Sequence, residues 1–132
     1  MPAVKAMIER EGKILVLKTE TENDSFWVLP GGRIEYGEDP YEALEREIEE
    51  EISVDAEIND PVGMYYFYIG EKEVGDQVVL TAFEADIGEQ EIDISSNPAD
   101  ENITKYVWMR PEELIEKTSN DSLAELIQKH QN

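Results

Sequence analysis

The chain has no cysteine and a single histidine, His130, among its 132 residues. No disulfide and no thiolate-held metal can form without cysteine. One histidine, ten places or fewer from the final residue of the sequence, argues against a histidine-ligated zinc site and against Ser–His or Cys–His nucleophilic catalysis. Positive charge is scarce too: 11 Lys and Arg stand against 32 Asp and Glu, for a formal net charge of −21. Such a surface repels a nucleic-acid polymer, which needs a basic face. It also repels an anionic membrane, and it repels a free nucleotide unless a metal ion intervenes. No apolar run approaches the roughly 20 residues of a membrane span. The opening "MPAVKAMIER" lacks the charged-then-apolar layout of a secretion signal. The expectation is a cytoplasmic protein forming one domain over residues 1–132, with enough apolar residues, 40% of the chain, for a single core.

What is present is organised in alternating patterns. "AVKAMIER" and "KILVLKTE" are apolar runs separated by Glu11-Gly12, which predicts a β-hairpin. "TETENDS" reads as a polar loop, and "FWVLP" as a short strand stopped by Pro30 and two glycines. Asp39-Pro40 supplies a cap and a first-turn proline for a helix in which Tyr41, Leu44, Ile48 and Ile52 recur at helical spacing. Aromatic and β-branched strands follow in "VGMYYFYIG" and "DQVVLTAFEADIG", joined by a turn-like "EKEVGD". "ITKYVWM" is a late strand. Pro111 opens a last helix, with a break expected near Ser119-Asn120. Strands with one helix in the middle and one at the end predict an α+β architecture, a mixed β-sheet between helices.

The chemistry concentrates in "GGRIEYGEDPYEALEREIEEEISV", residues 31–54. On a helical wheel of about 100° per residue, Tyr41, Leu44, Ile48 and Ile52 share a core-facing side, with Glu42, Glu45 and Glu49 opposite. Glu47, Glu50 and Glu51 fall on the arc between, where a cleft at the edge of the core would gather them. Arg46 is one turn from both Glu42 and Glu50. The ordinary reading of an acidic helix is a solvated face. Three converging carboxylates instead suit a hard divalent cation, which prefers oxygen ligands. Without that ion they raise one another's pKa values.

The spacing decides between the two readings. Gly32, Glu38, Arg46-Glu47-Ile48, Glu50-Glu51 and Val54 stand at the offsets of the Nudix box. Even in a chain a quarter acidic, that spacing arises by chance about once in a thousand such sequences. The chain strongly resembles the Nudix hydrolase (MutT-like) family. It departs at one position, Ser53, where the box carries a glycine; serine in a left-handed turn costs about 1–2 kcal/mol, unless the helix ends differently. The resemblance implies an α/β/α sandwich and a metal-dependent hydrolase. Its substrate would be a nucleoside diphosphate linked to another group, cut at the pyrophosphate. It implies Mg2+, or Mn2+, on Glu47, Glu50 and Glu51 with the Gly31 carbonyl as a further ligand. Arg46 would orient the glutamates, and Gly32 and Glu38 would be structural. For the group that takes a proton from water it offers Glu47 first and Glu101, in the loop before "ITKYVWM", second; Asp100 and Glu84 follow. A homodimer is a common assembly in the family. The alternative is a Nudix-fold module that binds a nucleotide without cleaving it.

The substrate's other half is less defined by sequence. Trp27, Tyr65, Tyr66 and Tyr68 can stack on a base or pack in a core. Asn97 and Asn102 can read a base edge or shape turns.

Overall fold

The first strand is apolar on both sides, and this makes it the centre of the fold. In the computed structural model, which describes residues 1–69 and 75–131, β1 (Pro2–Arg10) buries Ala3 and Met7 on one face and Val4, Ala6 and Ile8 on the other. A strand covered on both faces reads as a continuous run and not as an alternation. β1 turns into β2 (Lys13–Glu20) through Glu11 and Gly12, both at positive φ (54° and 79°). That is the mirror-image turn a two-residue hairpin requires.

The remaining strands are β3 (Ser25–Val28), β4 (Gly31–Arg33), β5 (Glu57–Ile69), β6 (Asp76–Asp86) and β7 (Ile103–Met109). They form a seven-stranded sheet with the order β3-β2-β1-β6-β5, β4 pairing β1 and β7 pairing β2. β1 runs parallel to β6 and antiparallel to β2 and β4, so the sheet is mixed. Two details depart from the sequence reading. Gly31–Arg33 do not merely stop a strand but form one against β1. β5 starts well before its aromatic run, carrying Pro61 with a register shift, which an edge strand tolerates because its N–H groups need no partner. Most of the expected "EKEVGD" turn lies outside the described residues.

The helix α1 (Pro40–Ile52) starts as expected: the Asp39 carboxylate accepts from the Glu42 N–H at 2.9 Å. Ala43, Leu44, Ile48 and Ile52 pack on Val4, Ile8, Leu15 and Leu17. Tyr41 corrects the wheel: it is 45% exposed, lying at the edge of the packed face that Ala43 and Leu44 bury, with its ring 5.2 Å from that of Phe83. The opposite face is covered by α2 (Pro111–Lys117) and α3 (Asp121–Gln131), whose Leu114, Leu123 and Ile127 pack on Met7, Val78 and Leu80. The break between these helices falls where expected, and Asn120 Oδ1 accepts from the Leu123 N–H at 3.0 Å to cap α3. Helices on both faces of a mixed sheet make the α+β sandwich. Among the described residues, no helix is long and apolar enough to cross a membrane.

α1 ends at Ser53, which takes the left-handed conformation (φ 59°, ψ 39°) with its N–H on Glu49 O. The serine therefore carries the strain that a glycine would not. Ser53→Gly is expected to raise stability by about 1 kcal/mol, the side-chain strain relieved less the extra freedom of glycine in the unfolded chain. A thermal melt reads this directly; an unchanged or lowered midpoint would mean the serine is relaxed there.

Candidate functional site

Two glycines and one helix build the site. Gly31 pairs with Lys5 across β4–β1 at φ 139°. A side chain there would strike the Val4 carbonyl and come within 2.8 Å of Lys5 Cα. At Gly32 an added Cβ would lie 2.5–2.7 Å from the carboxylate atoms of Glu47. The absence of both side chains lets the strand press on β1 while the acids of α1 press on the strand. The Gly31 N–H then donates to Glu51 Oε1 at 2.8 Å.

Arg46 joins four groups. Its Nε and Nη2 donate to the two oxygens of Glu38 at 2.7 and 3.0 Å, a bidentate pair. Nη1 donates to Glu47 Oε1 at 3.1 Å and to Glu50 Oε2 at 3.3 Å, and Nη2 reaches the Arg33 carbonyl. The pairing keeps Arg46 firmly protonated and holds Glu38 below the usual carboxylate range, Arg46 first and the Glu35 N–H second. Glu38 accepts that Glu35 N–H at 2.9 Å and so ties the loop before α1 to the helix.

Glu47 and Glu51 are the buried acids, 7% and 4% exposed. One oxygen of each of Glu47, Glu51 and Glu101 lies within 4.8 Å of the others. Burial pushes Glu47 up to about 7, the Glu101 charge adding to this and Arg46 opposing it. Burial pushes Glu51 up to about 10, helped by a side-chain hydrogen bond with Glu101 and opposed by Lys5 and the Gly31 N–H. Glu47 Oε2 is buried and, among the described residues, has no hydrogen-bond partner. A buried carboxylate oxygen without a partner is costly, and a set of such oxygen donors fits the chemistry of a hard divalent cation.

The structure thus brings partly buried Glu101 beside the two buried acids, and leaves Glu50, also partly buried, held by Arg46. Asp100 is exposed in the loop; Glu84 is exposed on β6, 4.0 Å from His130. Asn97 and Asn102 act as turn residues that present Glu101. Asn97 bonds Ile94 O and both backbone groups of Ile103, and Asn102, at φ 46°, bonds Glu20 O.

Lys5 was not marked by the sequence reading. Its Nζ donates to Leu29 O at 3.0 Å and Gly31 O at 3.3 Å. The available signal was a single cation inside the apolar run "AVKAMI". Lys5 also borders a cleft of about 810 Å³ that runs between the sheet and the α2–α3 connector, with Trp27, Tyr65, Tyr66, Phe67 and Asn120 on its walls. Tyr65 belongs to the core at 5% exposure, whereas Tyr66 and Tyr68 are open and meet edge-on at 5.9 Å.

The chain is similar to several known proteins. The chain is 33% identical over 107 residues to Nudix hydrolase 25 of Arabidopsis thaliana, covering 69% of this chain and 61% of the relative. It is 36% identical over 64 residues to CTP pyrophosphohydrolase of Escherichia coli K12, covering 47% of each. The chain thus spans about half to three-fifths of the length of these curated relatives. In fold it matches the MutT protein of Methanosarcina mazei Go1 at a TM-score of 0.80 and 24% identity, over 99% of this chain and 92% of that one. The NUDIX domain pattern itself matches residues 1–130, so the chain, with its acids gathered on α1 and its paired glycines on β4, belongs to the NUDIX family.

Proposed function

We propose that the protein hydrolyses a pyrophosphate linkage in a nucleoside diphosphate joined to another group, using Mg2+ or Mn2+. The observation that carries this is the trio of buried Glu47 and Glu51 with partly buried Glu101, and one oxygen of Glu47 left without a partner among the described residues. Those three and the Gly31 carbonyl would hold the ion, with Glu50 at the outer edge of the set. A cation there would neutralise phosphate charge and acidify a water molecule.

The chain's own residues do the rest. Arg46 holds one oxygen of Glu47, and the other has no hydrogen-bond partner among the described residues. This makes Glu47 the first candidate for the base. Glu101, carried on a loop and touching Glu51, is the second. Glu38 and Gly32 set positions without touching the reacting atoms. The nucleoside half fits the aromatic cleft, whose size is that of ordinary small-ligand sites. That relatives are named for hydrolysing nucleotides supports a small nucleotide substrate.

Incubation with a nucleotide panel and Mg2+, followed by detection of phosphate-linked fragments, tests the reading. Release from at least one member supports it; binding without release would favour the non-catalytic module. Gly32→Ala is a sharper probe of geometry. The new methyl displaces the Glu47 carboxylate, and turnover is expected to fall on the order of a hundredfold, the usual effect of an ångström-scale misplacement. Full activity in Gly32→Ala would mean Glu47 does not need its observed position.

A further inference from the structure

Trp27 is ringed by three lysines. The Nζ atoms of Lys105, Lys18 and Lys117 lie 5.4, 5.6 and 5.7 Å from its ring centroid. They come from β7, β2 and the end of α2, and the sheet register brings them together. Lys18 is the direct cross-strand partner of Trp27 on one side and of Lys105 on the other. Directly opposed like charges destabilise a strand pair. In a chain with 11 basic residues against 32 acidic ones, three at a single indole is a concentration that composition does not lead one to expect.

Among the described residues, little compensates for it. Lys18 approaches Glu20 only at 3.9 Å. Lys117 pairs with Glu113 at 3.0 Å, but both are well exposed on one helix, where such pairs contribute little. Exposed Lys105 makes no ion pair among the described residues. Cation–π attraction is modest at exposed positions, and here one ring serves three ammoniums that repel each other.

Trp27 also forms a wall of the cleft that Lys5 borders beside Gly31. The three lysines thus surround a ring that lines the cleft, and Lys5, which lines the same cleft, bonds the Gly31 carbonyl beside the acids. We infer that Lys18, Lys105 and Lys117 form a second anion site at the Trp27 end of the cleft, taking a phosphate group. Ammonium groups suit this as mobile point charges with three donors each. The phosphate is either a distal group of the substrate, a role that rests on the proposed hydrolysis, or free inorganic phosphate.

Calorimetric titration with inorganic tripolyphosphate in EDTA tests the site with the metal centre silenced. The wild-type chain is expected to bind saturably. Lys18→Gln/Lys105→Gln should weaken binding on the order of tenfold, the effect of losing charge-assisted contacts to an oxyanion. Lys117→Gln, at an exposed helix end where folding is not at risk, should weaken it severalfold, and Lys129→Gln should leave it unchanged. No saturable binding by the wild type, or equal affinity in all variants, overturns the inference and leaves Mg2+-dependent hydrolysis of the nucleotide panel unaffected. Kinetics then separate the sources. A KM raised by the double substitution only for an ADP-sugar bearing a terminal phosphate, and not for its unphosphorylated counterpart, assigns the site to the substrate. Loss of inhibition by inorganic phosphate with both KM values unchanged assigns it to the free ion.

Discussion

Glu51→Gln is expected to lower turnover roughly a thousandfold or more while changing KM little. The loss follows from the several kcal/mol of transition-state stabilisation that a metal centre supplies, at tenfold per about 1.4 kcal/mol. The protein should still fold. Glu51 is 4% exposed and pushed up to about 10, so near neutrality its side chain is uncharged before any metal binds. Glutamine copies that uncharged shape, and its carbonyl oxygen can still accept the Gly31 N–H now held at 2.8 Å. An enzyme of normal stability and normal KM but almost no turnover is therefore the expected result. If kcat and KM deteriorate together, Glu51 serves substrate binding and the site has been assigned wrongly. If the melt collapses, Glu51 is chiefly structural.

The second large effect is a coupling between pH and metal. Glu47 and Glu51 have folded-state pKa values of about 7 and about 10, both above the ordinary glutamate value of 4.5. The folded, metal-free protein thus holds more protons on these groups than the unfolded chain does. Stability from this source is fully present below about pH 4.5 and is lost as pH rises through 7 towards 10. A divalent cation reverses the preference, because it binds the ionised carboxylates. Mg2+ should therefore raise the thermal midpoint more at pH 9 than at pH 6. Binding at pH 7 should release protons, measured by calorimetry in two buffers of different ionisation enthalpy. Glu51→Gln should abolish most of both effects. This comparison cancels the general self-repulsion of a −21 chain at high pH, which substituted and parent proteins share. A magnesium effect independent of pH, with no protons released, would place the ion away from these acids.

Much of the local structure was legible because short-range chemistry decides it. Asp39 caps α1 through a hydrogen bond three residues long. Glu11-Gly12 reads as a hairpin because few pairs accept two positive φ angles. The break at Asn120 reads as a break because its side chain competes for backbone N–H groups, and it caps α3 in that way. The box was legible for the same reason: eight residues, from β4 through a loop and α1 to Val54 just beyond it, keep fixed offsets.

The sequence by itself determined which acids α1 can offer, at which angles, and that two glycines precede them. Helical periodicity sets those angles whatever packs nearby. It could not rank Glu47, Glu50 and Glu51, since their burial depends on what covers the helix. Tertiary structure made that choice: β4 lies over Glu47 and Glu51, while Glu50 stays at the rim on Arg46. It alone brought Glu101 across fifty residues into contact with Glu51, turned Lys5 onto the Gly31 carbonyl, and set Lys18 and Lys105 beside Trp27. Desolvation and cross-strand register belong to the assembled chain, and no local pattern of residues encodes them.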